Sequence, residues 1–468
     1  MASALNVALC ALAAAAFWTF VGIAVGRRVL FDQTLVIPLA PALGWATFNA
    51  AALPVFLVAG FTGTSVAVVA AISAAVALAS LVRSEPTAWC GEAPRPSPLA
   101  FVVAAALALI PAAAVMPKFR EGGVWLADPI FDHAKIALVD SMVRLGLPPV
   151  NPVFGEVGGA AGVSYYYLWH FSAATAALAT GASGWEADAA VTWFTAWSSL
   201  TLIMGLAVWL SRSTSAWIWA LVLTPVGSLR PALGWLLGPD AVAALLRPET
   251  GLTGWLFQSS WSPQHVQSAC CAVLALLLVA AFPRWKGLAI PATLALVLAA
   301  GLQSSLWVGG VVVPIAGAAA AIFVLRDADW STCRRFAVGC AGAALCAIAL
   351  STPLLLEQYQ AALLRAVGSP VTVAPQEVLG ALFPDPIRRI LDLPAFWTVF
   401  LVVVSPAVYP LGAFVLVRFV RSGEATAAPA QAVAALAALA ATSLLTTWLM
   451  ASKVADNNDL GWRAVLPG

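Results

Sequence analysis

An all-α, polytopic transmembrane helical bundle is the fold class this sequence predicts, and three observations carry the prediction. Of its 468 residues 62% are hydrophobic, only 9% are charged, and the mean hydropathy is +0.93. Soluble domains carry about a quarter of their residues charged, so water is not the solvent for most of this surface. The apolar runs are long enough for membrane helices and lack strand-like alternation. In hydrocarbon every backbone amide needs an internal partner, so helices are expected rather than a barrel. The net charge of +2 comes without a basic stripe or a run of like charge, which gives no reason to expect nucleic acid as a partner. The lipid bilayer is the partner that composition does name.

Each element follows from the chain in order. The run 5–25 has Arg27 and Arg28 after it and no basic segment before it, so it reads as an uncleaved first span that starts outside. Further spans are expected at 35–60, 64–82 and 99–116. This places Arg27, Arg28, Arg83 and Arg95 on the cytoplasmic side, makes the proline-rich stretch 92–98 a cytoplasmic linker, and turns the polar segment 117–163 outward. The C-terminal half gives a second orientation. Arg284 and Lys286, then Arg326, Arg334 and Arg335, then Arg418 and Arg421 fall on the cytoplasmic side if spans lie at 265–282, 288–301, 306–325, 336–352, 396–417 and 428–450. Segments 250–264, 353–393 and 453–468 are then outside. Between the halves, 165–180, 189–210 and 216–226 make three candidate crossings where an even number is needed. The first opens with three tyrosines and is expected to dip in and return. The total is about 12–13 spans in one transmembrane domain, 1–468, with no soluble domain.

Cys10, Cys270, Cys271, Cys340 and Cys346 lie in apolar runs and read as small core residues; no disulfide framework or zinc spacing appears. The chain has three histidines, His133, His170 and His265, and this topology puts all three near the outer face. Histidines favour interfaces in any case, which is the plain alternative.

The segment DPIFDHAKIALVDSMVRLGLPP begins the first large outer loop. Asp128 reads as a helix N-cap, Pro129 as the first helical residue and Gly146 as the stop, for an amphipathic helix of about 17 residues. Phe131, Ala134, Leu138, Met142 and Leu145 form an apolar stripe opposite Asp132, Asp140 and Arg144, so the helix is expected to lie along the extracytoplasmic surface. Such a helix holds a carboxylate at headgroup depth. Asp132, favoured in its ionised form by the helix dipole and by Lys135, is the candidate general base. A solvated face explains Asp132 without function, and capping explains Asp128.

A loop through Asn151, Pro152, Gly158 and Gly159 leads to Tyr165, Tyr166, Tyr167, Trp169 and His170, an aromatic group suited either to an interface belt or to stacking on a sugar ring. The island QSSWSPQHVQ supplies Gln264, His265 and Gln267, and Gln303, Ser304 and Ser305 follow in a short turn; capping is the alternative there. Near the end, Lys453, Asn457, Asn458, Asp459 and Arg463 form another polar cluster, with Lys453 and Arg463 able to bind a phosphate. A metal held by Asp132, His133, His170 and His265 is chemically compatible, but the spacing does not require one.

The stretches DHAKIALVDSMVRLGLPPVNP, GVSYYYLWH, SPQH and NNDLGWR together resemble the YYY-type integral membrane proteins, which look like members of the GT-C superfamily of glycosyltransferases. The resemblance implies a GT-C-like enzyme that takes a sugar from a polyprenyl-phosphate donor and passes it to an acceptor on the extracytoplasmic side of a bacterial inner membrane. It implies Asp132, then Asp128, as the catalytic acidic residue. It implies His133, Lys135, Tyr165, Tyr166, Tyr167, His170, Gln264, His265, Asn457, Asn458, Asp459 and Arg463 as substrate-binding residues. Some members use a divalent metal at the acidic residue, whereas no cofactor is required by this sequence. Two features depart from the pattern: four spans precede the acidic loop, and a further span would be expected after NNDLGWRAVLP, so a truncated or inactive enzyme is an alternative. Outside that resemblance, a transporter or lipid-linked sugar flippase would need ionisable residues at mid-membrane. A non-catalytic component of envelope polysaccharide assembly would share the architecture. Sugar, acceptor and oligomeric state are not legible.

Overall fold

The computed structural model describes residues 3–30, 32–83, 94–116, 118–120, 123–125, 129–151, 162–247, 254–284, 287–365, 369–412, 414, 430–454 and 459–468, with backbone alone for 118–120, 123–125, 129–133, 284 and 364–365. Helix dominates it. The chain opens with α1 (Ala4–Val29), α2 (Val36–Ala59), α3 (Gly63–Arg83) and α4 (Pro98–Val115), each close to an expected span. A two-stranded antiparallel ribbon, β1 (Lys118–Arg120) with β2 (Gly123–Trp125), precedes α5 (Pro129–Leu145). Then come α6 (Leu168–Thr180), α7 (Gly184–Ser211) and four short helices: α8 (Ala216–Leu223), α9 (Arg230–Leu237), α10 (Pro239–Leu245) and α11 (Trp255–Trp261). The second half holds α12 (Pro263–Ala281), α13 (Ala289–Ser304), α14 (Val313–Val324), α15 (Trp330–Arg365), α16 (Asp385–Ala395), α17 (Leu401–Val404), α18 (Ala430–Leu449) and α19 (Asp459–Arg463). A second antiparallel ribbon joins β3 (Val371–Val373) to β4 (Met450–Ser452).

Among the described residues eight helices are long and apolar enough to cross a bilayer, against the 12–13 spans expected over the whole chain. Segment 165–180 becomes helical only at Leu168 and stops at Gly181, whose φ of 73° ends the helix after 13 residues, about 20 Å. Segment 216–226 yields the eight residues of α8 and then meets Pro225. Segment 396–417 breaks at Ser405, because a residue before proline is pushed out of the α region. Segments 288–301 and 306–325 do form apolar helices, Ala289–Ser304 and Val308–Val324, which are shorter than the eight. The opposite error occurs at 336–352: α15 runs 36 residues, straight through Pro353. Asp329 starts it, with Ser331 and Thr332 donating to its carboxylate and holding that carboxyl down to about 2.

Helices α1 and α7 run parallel. Ser3 N and Asn6 Nδ2 donate to Glu186 at 2.8 and 3.1 Å, the rings of Trp18 and Phe194 meet at 4.6 Å, and Trp209 Nε1 donates to Asp32 at 2.8 Å. Helix α2 runs antiparallel to α1 and packs on it so closely that a Cβ on Gly44 would fall 1.7 Å from the carbonyl oxygen of Trp18, and one on Gly22 1.9 Å from that of Ala40. Small residues are what permit backbones to approach this way in a membrane. The core formed around this pair extends through α6, α7, α12, α13, α14 and α18.

Candidate functional site

Helix α7 carries a buried polar stripe. Asp188, Thr192, Thr195 and Ser199, at spacings of four, three and four, share one face, and all are buried, as are the neighbouring Ser198 and Thr201. Side chains from four other segments tie onto this stripe. Lys135 Nζ of α5 lies 4.0 Å from Asp188 Oδ2 and donates to the Ser260 carbonyl at 3.2 Å. Trp169 Nε1 donates to Thr195 Oγ1 at 2.9 Å. Ser198 Oγ donates to Gln267 Oε1 at 3.1 Å, and Trp255 Nε1 donates to Ser199 Oγ at 2.9 Å. The stripe was missed in the sequence, although polar residues recurring at helical spacing within an apolar run are a readable signal.

The tyrosine and histidine motifs meet beside it. Tyr166 Oη is 3.1 Å from His265 Nε2, and His265 Nδ1 is 2.9 Å from Ser305 Oγ. Gln264 Nε2 donates to Tyr165 Oη at 3.0 Å. The rings of Tyr165 and Tyr166 lie 4.1 Å apart, and His170 stands edge-on to both Tyr165 and Trp169. Burial pushes the Tyr166 phenol well above its ordinary pKa, and it pushes Tyr167 up too, with the Glu357 carboxylate adding to the shift. Both therefore stay protonated at physiological pH and serve as hydrogen-bonding groups rather than bases.

From the C-terminal end, α19 brings Arg463 into the same region. Its guanidinium donates to Gln258 Oε1, lies 3.7 Å from Asp459 Oδ1 and sits 5.9 Å from the centre of the Trp261 ring. Burial raises the pKa of Asp459, and Arg463 opposes the rise. Arg463 is 5% exposed, so the guanidinium charge is held inside the protein. Tyr167 Oη, His170 Nδ1, Thr192 Oγ1, Gln264 Oε1, Gln267 Nε2 and Arg463 Nε find no hydrogen-bond partner among the described residues. A buried polar atom left unpaired costs about 1–3 kcal/mol, so this cluster has hydrogen-bonding capacity for ordered water or a polar ligand.

The structure thus gathers Lys135, Tyr165, Tyr166, Tyr167, His170, Gln264, His265, Asp459 and Arg463. Asp128, Asn457 and Asn458 lie outside the described residues, and Asp132 and His133 occupy the first turns of α5 with only their backbone described. Lys453 is exposed and does not join the cluster. Helix α5 has the expected bounds, but its buried face differs from the expected stripe. Lys135, Ile136, Leu138, Val139 and Met142 are buried while Ala134 and Leu145 are exposed, because α5 docks on α6 and α7 and turns Lys135 toward Asp188. Beside the Tyr–His groups, Trp169 bonds to Thr195 and Gln267 to Ser198, which ties the cluster to α7. Glu357 lies within the span-length segment Trp330–Leu363. Among the described residues no three His, Cys, Asp or Glu side chains are grouped to hold a metal.

Apolar span-length helices around a buried polar column define a multi-pass membrane protein with an internal polar site. The chain belongs to the same family as "Uncharacterized protein y4nK" from Sinorhizobium fredii (strain NBRC 101917 / NGR234), with which it shares 32% identity over 467 residues, covering 96% of this chain and 67% of that protein. No family model matches the chain, and no solved structure does.

Proposed function

We propose that this chain is a membrane glycosyltransferase that moves a sugar from a polyprenyl-phosphate donor to an acceptor on the extracytoplasmic side, with a GT-C-like arrangement of spans and loops. One observation carries the reading: stretches of sequence far apart in the chain meet around one polar cluster. GVSYYYLWH reaches SPQH through the Tyr166–His265 contact, NNDLGWR reaches Gln258 through Arg463, and DHAK enters through Lys135. Residues that converge from four segments onto a buried, partly unsatisfied polar cluster have the makings of a binding site.

In this reading Asp132, three residues before Lys135 on α5, takes the proton of the acceptor hydroxyl. The acceptor oxygen bonds to the anomeric carbon from the face opposite the phosphate. The bond from that carbon to the phosphate oxygen breaks with its electron pair, leaving polyprenyl phosphate and an inverted linkage. Lys135 and Arg463 supply positive charge for the departing phosphate, and a low-dielectric setting strengthens their effect. The neutral tyrosines and Gln264 offer hydrogen bonds and ring faces to the sugar. The basic ends of α1, α3 and the start of α15 support a cytoplasmic assignment for that face of a bacterial inner membrane, with the acidic loop facing out.

A second reading, a transporter or flippase for a lipid-linked sugar, is favoured by Glu357, an ionisable residue within the span-length segment of α15. The two part company in one experiment. Purified chain in liposomes is given a radiolabelled polyprenyl-phosphate sugar and an acceptor extract, with Asp132→Asn and Arg463→Gln alongside. Glycosyl transfer by the native chain that Asp132→Asn abolishes supports the enzyme. Donor crossing the bilayer with no transfer supports the transporter and overturns the enzyme, and transfer that survives Asp132→Asn removes Asp132 as base.

A further inference from the structure

At the end of α13 away from the polar cluster, α1, α2, α3 and α13 enclose a cavity of about 580 Å³ with an apolar lining. Only Val66 and Ala77 of α3 are fully buried. Along α3 the cavity runs from Val69 to Ser80, a rise of about 16 Å, which makes it long and narrow. The walls are Val25 and Val29 of α1, Phe48 and Ala51 of α2, and Val76 of α3, with Ala289 of α13 closing one end. At that same end stands one charged lining residue, Arg28, in the last turn of α1, with Ser80 of α3 also on the lining.

Arg28 belongs to the basic end of the molecule. Arg27 is its neighbour, Arg83 ends α3, and Arg335 of α15 donates to the Pro283 carbonyl at the far end of α12. A slot of hydrocarbon character that opens beside a cation at one membrane face matches the two parts of an anionic phospholipid: an acyl chain and a phosphate at headgroup depth. Basic pockets between transmembrane helices select anionic headgroups in this way, since one Lys or Arg near the surface contributes about 1 kcal/mol of attraction.

We infer that the groove between α1, α2, α3 and α13 is a binding site for an anionic phospholipid of the leaflet at the basic end, its acyl chain along Val76 and Phe48 and its phosphate at Arg28. This site is separate from the proposed transferase cluster and does not depend on that reading. The bound chain fills the space beside α3 and fastens that helix to α1 and α2.

The test uses the full chain in detergent and native mass spectrometry, with phosphatidylglycerol and phosphatidylcholine of identical acyl chains. Phosphatidylglycerol is expected to remain as a single retained adduct, favoured roughly five-fold, the factor one basic side chain provides. Arg28→Gln is expected to abolish the preference while Arg27→Gln, outside the groove, keeps it. Ala51→Trp, which puts a ring into the groove from an exposed position of α2, is expected to remove the retained adduct even though Arg28 is intact. Equal retention of the two lipids by the native chain overturns the proposal. So does a preference that survives Arg28→Gln, or an adduct that survives Ala51→Trp.

Discussion

His265 sits between Tyr166 and Ser305, 3.1 Å from the phenol through Nε2 and 2.9 Å from the hydroxyl through Nδ1, and so joins the Tyr–His motif to the turn after α13. All three groups are buried. The ring offers one donor and one acceptor when neutral, which matches a hydroxyl on each side.

His265→Leu removes one hydrogen bond from each hydroxyl, although Ser305 Oγ still accepts from Val308 N, and is expected to destabilise the protein by about 1–3 kcal/mol. His265→Gln, which can reach one of them, should lose about half as much. Thermal unfolding in detergent measures both, and equal melting temperatures for the two variants would count against the bridge.

Lys135 and Asp188 make a buried ion pair at 4.0 Å, with Lys135 6% and Asp188 1% exposed. Removing one partner takes this ion pair away from a buried charge, so Lys135→Met should cost roughly 3–5 kcal/mol. The double variant Lys135→Met/Asp188→Leu is expected to recover most of that loss. A double variant as unstable as the single one would show that the pair is not what holds α5 on α7.

Gly44→Ala should separate α1 from α2, because the new methyl meets the Trp18 carbonyl at 1.7 Å and only backbone movement relieves the clash. A loss of about 1–3 kcal/mol or more is expected, compared with little change for Gly317→Ala, where nothing lies within 4 Å.

Asp459 has a pKa above that of an unfolded aspartate, since burial outweighs the attraction of Arg463. The folded state therefore binds its proton more tightly than the unfolded state, and this contribution to stability is complete below the unfolded pKa, about 3.9. It is lost as pH rises through the folded value. Asp459→Asn should flatten that portion of the stability–pH curve, and an unchanged slope would remove Asp459 as its source.

Arg463→Lys tests the geometry of the guanidinium. A fork that reaches Gln258 with one nitrogen and Asp459 with another, beside Trp261, is not reproduced by an ammonium. If the transferase reading holds, KM for the lipid-phosphate donor is expected to rise about ten-fold with a smaller change in kcat, the signature of lost substrate binding.

Solvent and period were written in the residues themselves. Runs such as Ala4–Val29 and Pro263–Ala281 have no soluble fate, and Pro129 and Gly146 mark the ends of α5 through backbone chemistry alone, so membrane class, the first four helices and the limits of that amphipathic helix were legible. Hydropathy does not say where an apolar run stops being a helix. Gly181, Ser405 and Pro353 ended or continued helices according to local backbone geometry and packing, so several helices begin or end away from the expected limits. Which face of α5 is buried depended on α6 and α7. The polar stripe of α7 acquires meaning only when Lys135, Trp169, Trp255 and Gln267 arrive on it, since polar contacts between residues dozens of positions apart require packing that brings them within about 3–4 Å.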